Sequence, residues 1–321
     1  MVVSALTKIA AYFKWSEFIV AFVLMGFMTS VPELFVGVSS ALNDVASLSL
    51  GNVIGASIVN LTLVMGLVAI LARGIKIETN FAKRETILTL AVVGIPIILM
   101  FDGTLNRLEG AILIFLFFVY LLQFFYSNQK RFPYFVIRIL QLPLINRLIK
   151  LDNLEFSREF EADGEDERKF SQITGEFVKF AIGVALLLGS ARLIIYLAET
   201  VAGIFGLPMV FLGLVVLSVG TTLPELIFGI KAVLAGRREM ILGNTFGSIV
   251  VNMVFILGIV ALINPIKISV FIVFLLSALF LIFLLVIFAV FVRTREKLSW
   301  QEGMILVLFY VIFIIGEFLI C

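Results

Sequence analysis

Apolar runs close to twenty residues long recur along this chain, separated by short polar breaks. A helical bilayer crossing needs about 20 consecutive apolar residues. The pattern therefore predicts membrane helices at about 16–42, 48–72, 85–101, 108–126, 175–199, 207–235, 240–264, 268–292 and 301–320. The run at 85–101 is the shortest and barely spans. Residues 1–15 are short and mildly amphipathic. One long polar segment, 127–174, interrupts the series. Its first part, 132–150, mixes apolar residues with Arg138, Arg147 and Lys150 and holds Pro133 and Pro143, which predicts interfacial helix pieces. Its second part, 152–169, is acid-rich and predicts a solvated linker. The carboxylates there, Glu161, Asp163, Glu165, Asp166 and Glu167, match no calcium-loop spacing.

Two of the apolar runs carry polar groups at fixed places. Residues 220–229 read G-T-T-L-P-E-L-I-F-G, and L-G-N-T-F-G-S-I-V-V-N follows. Residues 29–37 read T-S-V-P-E-L-F-V-G, and L-G-N-V-I-G-A-S-I-V-N follows. At a constant offset of 192, 13 of the 38 positions from 29 to 66 recur in 221–258. The identities include Pro32/Pro224, Glu33/Glu225, Asn52/Asn244 and Asn60/Asn252. A carboxylate at membrane depth costs at least ~2.5–3.5 kcal/mol on insertion scales, so its default reading is functional. The chain reads as an internal duplication around two intramembrane glutamates.

Composition sharpens this picture. The chain is 62% hydrophobic, with a mean hydropathy of +1.18, whereas soluble domains are nearer half apolar. A net charge of +2 points to no nucleic-acid partner. Histidine is absent, and Cys321 is the one cysteine, which leaves no disulfide within the chain and no zinc–cysteine cluster. The N-terminus carries no signal-peptide pattern.

Lysines and arginines set the orientation. With a cytoplasmic N-terminus, the inner segments 1–15, 73–84, 127–174, 231–239 and 293–300 hold 20 of the 24 basic residues, and the outer segments hold Arg107 and Lys267. The helix of Glu225 is the fifth after that of Glu33, so the two copies face opposite ways. The expected fold is all-α, polytopic and membrane-spanning, with two inverted-topology repeats in about nine helices. Residues 1–126 form the first repeat (motif 29–66), 127–174 a cytoplasmic linker, and 175–321 the second repeat (motif 221–258). Such repeats are the architecture of secondary transporters, with the site near the midplane.

Each motif gathers hard oxygen. Pro32 and Pro224 cannot donate to the carbonyls of Met28 and Gly220, so each helix should kink and loosen a carbonyl. Thr29 and Thr221 lie one turn before Glu33 and Glu225 on the same face, flanked by Ser30 and Thr222. Asn60 and Asn252 add amide oxygens, Ser248 lies one turn from Asn252, and Ser57 lies near Asn60. Carboxylate, hydroxyl and carbonyl oxygens suit Ca²⁺, Na⁺ or Mg²⁺ rather than soft metals. Two carboxylates neutralise one divalent cation; emptied, they would be two like charges in low dielectric, which favours exchange over uniport. Other readings compete. Gly51-xxx-Gly55 and Gly243-xxx-Gly247 suit close-packing seams. A lone Ser or Thr usually bonds its own helix backbone. Asn52 and Asn244 suit either caps or braces of the site. The glutamates as ion-pair partners of Arg192 fit less well, because Arg192 lies near the outer end of its helix and has no counterpart in the first copy.

At these residues the chain resembles the calcium/cation antiporter superfamily, in particular prokaryotic sodium/calcium exchangers. Those carry two repeats of G-T-S-L-P-E followed by G-N-x-x-G-S-N-x-x-[ND]; here stand M-T-S-V-P-E with G-N-V-I-G-A-S-I-V-N, and G-T-T-L-P-E with G-N-T-F-G-S-I-V-V-N. The resemblance implies Na⁺ and Ca²⁺ exchange by alternating access across a lipid bilayer, with no cofactor and no enzymatic activity. It implies cation ligands at Thr29, Ser30, Glu33, Asn60, Thr221, Thr222, Glu225, Ser248 and Asn252. Ca²⁺/H⁺ exchange, potassium-dependent exchange and a truncated non-transporting membrane protein are the alternatives; a membrane-embedded hydrolase lacks both histidine and a nucleophile motif. Ala56 stands where the family has a cation-binding serine, and Met28 replaces a glycine. The family has five helices per repeat, whereas Met1 aligns with Leu193, leaving the first copy only the tail of its leading helix. An open groove exposing polar residues of the site beside the helix of Glu33 is therefore expected, along with an upstream start in the natural protein.

Overall fold

The computed structural model describes residues 2–13, 16–76, 80–128, 177–179, 181–183, 185–186, 212–268, 270–295 and 297–320. The predicted segments 132–150 and 152–169, most of the helix at 175–199 including Arg192, and 207–211 lie outside the described residues. Helix α1 is Val2–Phe13. Then follow α2 (Glu17–Leu42), α3 (Ala46–Leu71), α4 (Asn80–Leu99) and α5 (Arg107–Asn128). The second half holds α6 (Gly213–Thr221 and Leu223–Leu234), α7 (Arg238–Ile263), α8 (Phe271–Arg295) and α9 (Trp300–Ile320). Among the described residues six helices are long and apolar enough to cross a membrane, and the bent α6 makes a seventh. The protein is a polytopic helical membrane protein.

Ends are set by local chemistry. Asn106 and Glu109 form a reciprocal capping box at α5, with bonds of 2.8 and 3.1 Å. Ser299 and Glu302 repeat it at α9. Helix α6 stops where Gly236 takes φ +73, a left-handed turn suited to glycine.

Burial separates centre from periphery. In the membrane windows of α3 and α7, 83% and 78% of residues are buried, against 28% and 33% in α5 and α9, whose outer apolar side chains are exposed. Small residues let the backbones meet. A Cβ on Gly247 or Gly243 would fall on the Phe22 or Phe18 carbonyl of α2, and one on Gly55 on the Leu214 carbonyl of α6. Phe22 and Leu214 are themselves 192 apart, so the two seams are duplicates. Gly66 likewise meets Gly303 of α9, and Gly258 meets Gly110 of α5.

Short strands make the same exchange. β1 (Ile75–Lys76), after α3, pairs antiparallel with β4 (Lys297–Leu298), after α8. β2 (Thr104–Leu105), after α4, pairs with β3 (Ile266–Lys267), after α7. Glycine seams and strands alike therefore join each half of the chain to the other.

Candidate functional site

The site is built where α2 and α6 break. Ser30 (φ −81°, ψ 3°) and Thr222 (φ −87°, ψ 1°) hold the same non-helical conformation. Pro32 and Pro224 then sit in the first turn of Val31–Leu42 and Leu223–Leu234, where a missing N–H costs no helical bond. The two parts of α6 meet at 44°. The predicted kink is present in the second copy, and the first carries the same local break at Ser30. The break has a second effect: Glu33 and Glu225 fall in the first turn of their half-helices, where the dipole and spare N–H groups favour negative charge.

All nine predicted site residues are buried: Glu33, Asn60, Thr221, Glu225, Ser248 and Asn252 at 0% exposure, Thr29, Ser30 and Thr222 at 1%. This overturns the expected groove exposing the site. The Phe18 and Phe22 backbone seats on Gly243 and Gly247, so α7 of the opposite copy closes over α2.

Glu33 and Glu225 lie within each other's electrostatic reach, with Thr221 beside Glu33, and Thr29 and Ser248 beside Glu225. Thr29 Oγ1 is 3.1 Å from Ser248 Oγ and 3.3 Å from Asn244 Oδ1. Thr221 Oγ1 donates to Asn52 Oδ1 at 3.4 Å. Asn52 and Asn244, left between cap and brace by sequence, are thus braces, each holding the threonine of the other motif. The second member of this exchange is incomplete: Ser248 has only Ala56 as its duplicate. Asn60 opens a π-helical turn, Asn60–Val64, and Asn252 lies in another, Val251–Ile256. Such turns widen the helix and recur at functional sites. The first rests mainly against α9 and the second against α3 and α5. Three predicted hydroxyls also serve their own helices: Thr222 bonds the Ser218 carbonyl at 2.8 Å, Thr221 the same carbonyl at 3.3 Å and Thr29 the Met25 carbonyl at 3.0 Å. Ser57 does so with Val53 at 2.9 Å.

The remaining polar atoms stand without partners. They are both carboxyl oxygens of Glu33 and of Glu225, both amide atoms of Asn60 and of Asn252, Ser30 Oγ and Asn52 Nδ2. Buried polar groups are ordinarily bonded, so such a concentration calls for an explanation. A hard cation supplies one for the seven oxygens among these ten atoms. Sequence reasoning passed over Glu317, another buried carboxyl, which accepts from Ser277 at 2.7 Å between α9 and α8. Its only sequence signal is a charge inside an apolar run.

This fold of crossing broken helices has known relatives. The family described as sodium/calcium exchanger protein matches residues 1–126 and 176–319. The chain belongs to that family. It is 26% identical to the sodium/calcium exchanger MaX1 of Methanosarcina acetivorans, over 99% of this chain and 93% of that one. It is 28% identical to the inner membrane protein YrbG of Escherichia coli, over 77% of this chain and 70% of that one. Its structure resembles that of the sodium-calcium exchanger NCX_Mj with a TM-score of 0.74, over 97% of this chain and 90% of that one at 22% identity.

Proposed function

We propose that the chain is a secondary antiporter exchanging Na⁺ for Ca²⁺ across the cell membrane by alternating access. The observation that carries this is the set of buried, unpartnered oxygens around Glu33 and Glu225. Together the two carboxylates match the charge of one Ca²⁺; monovalent ions fill the same oxygens in the return step. Thr29, Ser30, Asn60, Thr221, Thr222, Ser248 and Asn252 complete the ligand set, and the ions are cargo, so no cofactor or catalysis is involved. MaX1 and NCX_Mj are named as sodium/calcium exchangers, which supports the choice of ions. In this reading 1–126 and 175–321 are inverted repeats joined by a cytoplasmic linker, 127–174. The N-terminus is cytoplasmic, so the Asp44 end of α2 faces outward. Vesicles holding the protein should accumulate ⁴⁵Ca²⁺ against an imposed Na⁺ gradient. Uptake driven by a pH gradient, or requiring K⁺, would replace Na⁺ as the coupling ion; no gradient-driven uptake would end the antiporter reading.

A further inference from the structure

Helices α5 and α9 lie on their partners in the same register. A Cβ on Gly110 or Gly303 would stand 2.8 Å from the carbonyl oxygen of Gly258 or Gly66, and 3.0 Å from the Cβ of Ala261 or Ala69. From these glycines each helix buries one stripe, at i+3, i+7, i+10 and i+14, with every member at most 6% exposed. The α5 stripe ends in Phe124, which stacks on Phe22 of α2 with ring centroids 4.4 Å apart. The α9 stripe ends in Glu317, and Leu214 of α6 is the duplicate of Phe22. One copy closes this corner with two rings, the other with a leucine and a carboxyl.

The second corner is partly hollow. A cavity of about 20 Å³, room for a water, lies between Gly51 of α3, Leu214 of α6 and Ser277 of α8. Its wall reaches Ser47, three residues past Asp44, and Val270, which is 44% exposed. Ser277 therefore lines the cavity and also touches Glu317.

Counting protons at Ser277 decides the state of the carboxyl. Its Oγ lies 2.8 Å from the Val273 carbonyl oxygen and 2.7 Å from Glu317 Oε1. A hydroxyl has one proton to give, and an ionised carboxylate has none. One of the two short contacts would then lack a proton. A proton on Oε1 completes both: Glu317 donates to Ser277, and Ser277 donates to Val273. Glu317 is 3% exposed, and its Oε2 has no partner. Burying an unpaired charge costs far more than burying a neutral acid. Among the described residues no lysine or arginine is bonded to it. Helix α3 has no titratable side chain. Helix α8 has Arg293 and Arg295, about 24 Å or more along the axis from Ser277. On α9 stand Glu302 and Tyr310, and on α6 Glu225 and Lys231, eleven residues and more beyond Leu214.

We propose that Glu317 is a proton-binding site separate from the cation site, loaded from the Asp44 side through Ser277, and that its proton holds the end of α9 against α8. Loading is a relay. Ser277 Oγ takes a proton from a hydronium in the cavity, passes its own to Glu317 Oε1, and leaves a water behind. Release runs in reverse and leaves a bare carboxylate in an apolar seam, which weakens the contact. Helix α9 also rests on the π turn of Asn60, so the proton reaches the cation site through packing alone. That last step, and the assignment of the Asp44 side as outer, rest on the antiporter reading.

The test is infrared spectroscopy of the full chain in vesicles. At neutral pH the wild-type minus Glu317→Gln difference spectrum should contain the carbonyl band of a protonated acid and no carboxylate band. Raising the pH should convert one into the other. In D₂O the acid band should shift more slowly in Ser277→Ala than in the wild type. Uptake of ⁴⁵Ca²⁺ by the wild type should fall as the pH on the Asp44 side rises through that conversion. Glu317→Gln, whose amide donates to Ser277 in place of the proton, should keep its uptake there. A carboxylate band alone at neutral pH would overturn the proton site. Exchange in D₂O that is indifferent to Ser277→Ala would overturn the relay, and an equal alkaline loss of uptake in both proteins would overturn the link to transport. Should Glu317→Gln fail to fold, the exchange rate in Ser277→Ala decides in its place. A wild-type protein that takes up no ⁴⁵Ca²⁺ would instead strike the antiporter reading, and the infrared result would still decide the proton site.

Discussion

Gly247→Ala is the perturbation whose effect follows most directly from the packing. The added Cβ would sit 3.0 Å from both the Cα and the carbonyl carbon of Phe22, and closer still to the carbonyl oxygen. Backbone cannot swing aside as a side chain can. Restoring the 3.4 Å at which ordinary contact begins requires α7 to retreat from α2 by at least 3.4 − 3.0 = 0.4 Å. Ser248, the next residue, is 3.1 Å from Thr29 Oγ1, so the same retreat takes that pair to about the 3.5 Å limit of a hydrogen bond. Overpacking costs about 1–3 kcal/mol and the weakened bond about 0.5–1.5 kcal/mol more. We expect a lower melting temperature in detergent and slower ⁴⁵Ca²⁺ uptake together. Gly94→Ala and Gly316→Ala, with nothing within 4 Å of the new Cβ, should leave both unchanged or raise stability slightly through helix propensity. A Gly247→Ala protein that melts and transports like wild type would refute the seam argument.

Three further outcomes follow. Glu225→Gln should abolish Ca²⁺ uptake and the rise in melting temperature that bound Ca²⁺ confers, with folding kept; normal uptake would show that this carboxylate is not a ligand. Ala56→Ser restores the hydroxyl that Ser248 supplies in the other copy and should tighten cation binding by about 1 kcal/mol, roughly fivefold, read as half-saturation of uptake; an unchanged value would mean that position does not face the ion. Glu317→Ala should lower the melting temperature by removing the α8–α9 bond to Ser277, whereas Glu317→Gln keeps a partner and should not; equal loss in both would point to a role for the charge itself.

Much of the fold was legible because membrane helices announce themselves by length and apolarity. The run predicted at 16–42 is the helix Glu17–Leu42, and 48–72 is Ala46–Leu71. The doubtful run at 85–101 is longer than its apolar part, starting at Asn80, because helix persists through Lys83 and Arg84 where hydropathy fades. The breaks were legible from Pro32 and Pro224, although the non-helical residue is two positions earlier, where the proline ring presses on the preceding turn. The site residues stood out as polar groups in apolar surroundings. What was not legible depends on the opposite half of the chain. The π turns at Asn60–Val64 and Val251–Ile256 have no periodic signature, and neither do two-residue strands. The cross-bonds of Asn52 to Thr221 and of Asn244 to Thr29 join residues 169 and 215 positions apart. The expectation of an exposed site went wrong for this reason: it counted the helices of one half and did not foresee that α7 would cover α2.

The strand exchange also bears on how the molecule is made. β1 is translated more than two hundred residues before its partner β4, and Gly66 long before Gly303, against which it rests. The nascent first half therefore sits in the bilayer with these seams unfilled until the last helices follow. Each half carries seams and a strand edge that only the other completes. Two polypeptides made by severing the chain between 129 and 176 should find each other in the membrane and rebuild the same structure, while either one synthesised alone should be degraded.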